Sequence, residues 1–138
     1  MTPRDADARQ FYRVAFHRLE DGRLILDELD RPAASLYLTG YAVECMLKAL
    51  ILEATSRNER SAVLAGFRGA GAHDLHWLRE GVVSRGVRIP PEIAGELALA
   101  ASGWSPELRY VPGPGDRKEA ERYWVAAERV LRWANERI

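Results

Sequence analysis

The chain has 138 residues, enough for one domain around a single core. Lys plus Arg and Asp plus Glu number 20 each, a balance that excludes a protein coating DNA by bulk charge and leaves room for a local basic patch. The one cysteine, Cys45, excludes an intrachain disulfide.

From about Asp5 to Leu29 the apolar positions (Phe11, Val14, Ala15, then Leu19, Leu24, Ile25, Leu29) recur at the spacing of an amphipathic helix. Gly22 falls in its middle, costs about 1 kcal/mol relative to alanine, and marks a place for a bend. Asp30, Arg31 and Pro32 stop this helix and start a second, from about Pro32 to Ser56, with Pro32 suited to a first helical turn. So short a connection predicts an antiparallel hairpin.

The second helix is apolar on nearly every side, as a buried helix is. It nevertheless carries Tyr37, Tyr41, Glu44 and Lys48 at helical spacing. Charged side chains are rarely buried without partners, so Glu44 and Lys48 are expected to pair, with Lys48, Arg109 or Tyr41 as the partners of Glu44. Thr39, Glu44 and Lys48 interrupt the apolar stretch and speak against a membrane span, and the N-terminus has no apolar signal region. A cytoplasmic protein is expected. Cys45, within this helix, reads as a small core residue.

Arg57 to Ala72 is charged, then glycine-rich, and reads as a mobile connection with a short turn at Ala62 to Leu64. Leu75, Trp77, Leu78, Val82 and Val83 suit a helix ending at Gly86, and Glu92 to Ser102 suits a shorter one introduced by Pro90 and Pro91. Gly103 to Gly115 reads as an extended loop. Asp116, with Glu119 three residues on, opens a last helix whose stripe is Tyr123, Trp124, Ala127, Val130, Leu131 and Ala134. No useful strand-like alternation appears, so the class is all-α, in one domain over residues 1–138.

Gly-Tyr-Ala-Val-Glu-Cys-Met-Leu-Lys-Ala-Leu (Gly40 to Leu50) resembles the central helix of the HEPN domains, a small α-helical family. Ala72 to Leu75 (Ala-His-Asp-Leu) resembles that family's Gly-His-Asp-Leu helix start. Trp104, Leu108, Arg109 and Tyr110 resemble its Trp and Leu-Arg-Tyr segment, and the helix from Asp116 resembles its closing helix. The likeness runs from about residue 10 to the C-terminus. It implies an up-and-down bundle of four to five helices, a homodimer with a groove between subunits, and a nucleotidyltransferase as partner in toxin–antitoxin type systems.

Three functions are weighed. The favoured one is a noncatalytic nucleotide- or RNA-binding module, with Tyr41, Glu44, Lys48, Asp74, Arg109 and Tyr110 as ligand-binding residues: cations meet phosphates and a tyrosine stacks on a base. The alternative is a metal-independent endoribonuclease toxin. Arg68 and His73 match the Arg-x4-6-His pattern of catalytic HEPN proteins, where histidine moves a proton and arginine steadies the phosphate. Against this, a glycine-rich loop preorganises Arg68 poorly, and His73 or Asp74 can simply cap the following helix. The third is a helical oligomerisation protein without ligand. His73 and His76 have no second pair of ligands to complete a metal site, no phosphate loop is present, and no cofactor is expected.

Overall fold

In the computed structural model, which describes residues 3–110, 113 and 115–138 with the side chains of Ala70 and Arg109 left out, the first helix, α1, runs unbroken over Ala6–Leu29. Asp5 caps it by accepting from the Ala8 N–H at 2.8 Å. It closes where Asp30 turns left-handed (φ 49°) and the Arg31 N–H reaches back to the Ile25 carbonyl at 3.3 Å. Arg117 adds to this closure, donating to the Leu26 carbonyl (2.9 Å) and to Asp30 (2.8 Å). Pro32 then opens α2, Pro32–Ala54. The backbone N–H groups of Arg4 and Asp5, at the start of α1, donate to the Glu53 carboxylate near the end of α2. The two helices are therefore antiparallel, as the short connection predicts.

α1 continues through Gly22 without a break. A Cβ there would lie 2.8 Å from Thr39 Oγ1 and 3.3 Å from the Ser35 carbonyl, so its missing side chain is what lets α2 come close. The Ser35 hydroxyl donates to the Gly22 carbonyl at 2.7 Å across the same contact. This approach sets the buried face of α1 as Ala15, Leu19, Gly22 and Leu26, and it turns Leu24 and Leu29 outward, against their expected place in the stripe.

The other helices enclose α2. They are α3 (Arg60–Gly66), α4 (Leu75–Val83), α5 (Pro91–Gly103) and α6 (Arg117–Asn135), with 3-10 segments at Ala70–His73 and Pro106–Tyr110. Among the described residues every element is helical. Among the described residues the α-helices number six rather than the expected four to five, the difference being the short α3. From Val43 to Leu52 every residue of α2 is buried, Glu44 and Lys48 included. The helix is long and apolar enough to cross a membrane, with 83% of its most apolar window covered by the rest of the chain.

The segment expected to be a mobile connection is partly helical because it is tied at both ends. Arg60 donates to the Leu52 and Thr55 carbonyls (3.2 and 3.1 Å), satisfying the C-terminus of α2. Phe67 enters the core and meets Phe11 edge-to-face at 5.9 Å. Likewise, Gly103 to Gly115 is not wholly extended, since it contains the second 3-10 segment, anchored just before it by Trp104. That ring lies flat against Gly40, where a Cβ would sit 1.9 Å from it, and its Nε1 donates to the Tyr37 carbonyl at 2.9 Å. On α4, Leu75, Leu78 and Val82 face inward while Trp77 and Val83 are exposed, so that helix presents a narrower apolar stripe than expected and ends three residues before Gly86.

Asp116 caps α6, accepting from the Lys118 N–H at 2.9 Å. The expected stripe is buried except Trp124, which bridges to α1 by donating to the Leu19 carbonyl at 2.9 Å. Arg23 stacks over the Trp124 ring at 5.1 Å and pairs with Glu121, whose carboxyl it holds below the usual range.

Because a Cβ at Gly40 would lie 1.9 Å from the Trp104 ring and the ring would have to shift, Gly40→Ala should destabilise the fold by about 1–3 kcal/mol in urea unfolding. A change within about 0.5 kcal/mol of zero would mean that the ring does not lie on Gly40.

Candidate functional site

Glu44 and Lys48 stand one turn apart on α2, and their side chains bond directly: Lys48 Nζ donates to Glu44 Oε2 at 2.9 Å. Their side chains are 1% and 5% exposed, so neither charge has water to fall back on. The second carboxylate oxygen, Oε1, receives His73 Nδ1 at 2.9 Å. The sequence reading of a buried, paired Glu44 with Lys48 as partner holds. His73 is the partner that reading missed, and the signal that could have found it is stoichiometric: a buried carboxylate has two oxygens, and Lys48 satisfies one. Of the other expected partners, the Arg109 side chain lies outside the described residues, and Tyr41 lies on the same helix without a bond to Glu44.

Lys48 completes its surroundings with two aromatic faces, Phe67 at 5.4 Å and Phe11 at 5.8 Å from Nζ. The ammonium is thus neutralised by Glu44 and sandwiched by rings, an arrangement suited to holding structure more than to reaching a phosphate.

His73 ends the first 3-10 segment, and Asp74 follows as the N-cap of α4, accepting from the His76 and Trp77 N–H groups at 2.9 and 3.4 Å. The two residues divide the roles that the sequence leaves open, because Asp74 caps the helix and His73 turns back to Glu44. A carboxylate only accepts, which assigns the Nδ1 proton to His73 and leaves Nε2 as the acceptor of the neutral ring. With a side chain 40% exposed, His73 links a buried charge pair to the surface.

That surface is concave. A groove of about 490 Å³ is walled by Phe11, Tyr41 and Phe67, floored by Lys48 and edged by Arg68 and His73. A second cavity, of about 670 Å³, lies among Arg68, His73, Asp74, Leu75, Trp104 and Glu107. Arg68 sits between α3 and the 3-10 segment, exposed, and among the described residues its guanidinium makes no ion pair or hydrogen bond. Of the expected site residues, Tyr41, Glu44, Lys48, Arg68, His73 and Asp74 thus gather around one region. Tyr110, 69% exposed, lines neither cavity.

Cys45 also borders the groove but is 2% exposed, and burial, with Glu44 beside it, pushes its thiol up to about 12. Burial likewise raises the Tyr41 phenol above its usual value. Among the described residues no group of three or more His, Cys, Asp or Glu is placed to hold a metal ion.

Compared with protein-family models, with curated proteins and with solved structures, the chain matches none.

Two outcomes are expected. Glu44→Ala leaves Lys48 buried and unpaired and should cost about 3–5 kcal/mol of stability, whereas Glu44→Leu combined with Lys48→Met should recover most of that loss. A Glu44→Ala cost below about 1 kcal/mol would place the carboxylate at the surface. The Cys45 thiol, protonated up to about pH 12, should resist a disulfide reagent at pH 8 and react at the rate of unfolding. Rapid labelling of the folded protein would contradict its burial.

Proposed function

We propose that the protein is a HEPN-like helical module that binds a nucleotide or RNA. The observation that carries this reading is the placement of Arg68 and His73, one cation without a partner among the described residues and one half-exposed imidazole, on the rim of a groove walled by Phe11, Tyr41 and Phe67. Guanidinium groups meet phosphate oxygens, and aromatic faces receive bases whatever their sequence. Near neutrality of the whole chain fits a local contact better than a long polyanion track. With Lys48 committed to Glu44, this reading gives the ligand contacts to Arg68 and His73. The sequence resemblance adds that the module works as a homodimer beside a nucleotidyltransferase.

One observation favours the second reading, a metal-independent endoribonuclease: Glu44 fixes His73 through Nδ1, so that Nε2 is free to accept a proton from a ribose 2′-hydroxyl. Arg68 has no such support, and an unsupported cation positions a phosphate too loosely for efficient chemistry. Binding without cleavage is therefore the conclusion.

The test is a titration of short single-stranded RNA at several salt concentrations. Binding should weaken with salt, fall by about 1–3 kcal/mol in Arg68→Ala, and leave the RNA intact in chelator. Chelator-resistant cleavage abolished by His73→Ala would establish the endoribonuclease instead, and absence of salt-dependent binding would remove both. Light scattering at micromolar concentration should show a dimer, and a monomer would contradict the homodimer.

A further inference from the structure

Between Arg60, tied to the Leu52 and Thr55 carbonyls, and His73, tied to Glu44, the chain passes from the end of α2 to its middle with few attachments. Among the described residues, every hydrogen bond of residues 61–72 joins chain neighbours: Phe67, Arg68 and Gly69 donate to the carbonyls of Leu64, Ala65 and Gly66, and Ala72 to that of Gly69. No residue of α3 is fully buried. What pins the middle of the segment is Phe67, 7% exposed, edge-to-face on Phe11 and 5.4 Å from Lys48 Nζ. Trp104 is held by a hydrogen bond to the Tyr37 carbonyl as well as by packing, whereas Phe67 has packing alone. Such a contact is non-directional, and its loss leaves no polar group without a partner.

Glycines bracket that single contact, Gly66 on one side and Gly69 and Gly71 on the other. None of the three has a positive φ. A Cβ at Gly66 or Gly71 would meet nothing within 4 Å, and at Gly69 only the Gly66 carbonyl at 3.6 Å, an ordinary contact. Nothing in this conformation requires glycine at these positions, and each costs conformational entropy relative to alanine. Residues that the closed form does not need, and that let the backbone adopt others, mark pivots. The piece they carry is a wall: Leu64, Phe67 and Arg68 line one side of the groove of about 490 Å³. Beneath it the Lys48 side chain, between Phe67 and Phe11, is 5% exposed.

We propose that residues 66–71 are a flap that gates this groove. Phe67 swings out about Gly66 on one side and Gly69 and Gly71 on the other, Arg60 and His73 keep their anchors, and the Lys48–Glu44 pair is uncovered from the groove side. Opening breaks a few local hydrogen bonds and exposes chiefly one ring, so it takes far less free energy than unfolding the core around α2. The structure is the closed state, and an occupant that reaches the floor of the groove selects the open one. The gate is a property of the free chain and stands apart from the choice of ligand made above.

Amide hydrogen exchange of the full chain without ligand, followed by NMR at several urea concentrations below the unfolding transition, separates local opening from global unfolding. Relative to their intrinsic rates, the Phe67, Arg68 and Ala72 amides should exchange about a hundredfold faster than those of Met46 and Leu47, and independently of urea. Gly66→Ala, Gly69→Ala and Gly71→Ala combined should slow that exchange about tenfold, because alanine restricts the open ensemble more than the closed state. Acylation with acetic anhydride at about pH 9 reads the gate itself. Lys48 should react at a rate that falls with flap exchange in the triple variant, while the exposed Lys118, the other lysine of the chain, reacts equally in both proteins. Flap amides that exchange together with Met46 and Leu47, or that ignore the three alanines, overturn the flap. Acylation of Lys48 only at the rate of global unfolding overturns the gate.

Discussion

A carboxylate buried in the middle of the central helix is the constraint around which the rest of the molecule is arranged. Glu44 at 1% exposure can stay charged only if its oxygens are met, and two different elements meet them: Lys48 from the same helix and His73 from the segment before α4. Phe11 of α1 and Phe67 after α3 then cover the lysine. One ionic contact thus involves α1, α2 and the whole stretch from α3 to α4. Such pairs add little net stability over an apolar replacement, but removing one member is costly. Their value here is positional, because the ring of His73 is held by a partner that cannot move.

Close backbone approaches do the rest of the positioning. Gly22 admits α2 against α1, and Gly40 admits the Trp104 ring, which pins the chain between α5 and α6. Trp104 borders the second cavity, and Phe67, packed on Phe11, borders the first. Neither needs a long loop; each is the gap left where a short element is tied at one end by an aromatic ring.

The all-α class, the antiparallel hairpin and the buried character of α2 were legible in the sequence because they depend on periodicity, on Pro32 and on the absence of a polar face. The pairing of Glu44 with Lys48 was legible for the same reason, being local to one helix. What could not be read was the long-range part. Gly22 looked like a bend because a glycine signals freedom in sequence and signals proximity only when a second helix is known to lie there. Arg57 to Ala72 looked mobile because its anchors, Arg60 to the α2 carbonyls and Phe67 to Phe11, are tertiary. His73 was recognised as a candidate, but its contact with Glu44 spans 29 residues and has no periodic signature.

The account stands most directly on the ring orientation of His73, which long-range proton–nitrogen correlation spectra report. At about pH 8.5, where an imidazole is ordinarily neutral, a ring held by Glu44 should carry its proton on Nδ1, with Nε2 unprotonated, and Glu44→Gln should change that spectrum while Asp74→Asn leaves it as it was. A ring protonated on Nε2, or one averaging between the two tautomers in the unmodified protein, would contradict the buried carboxylate as the element that aims it.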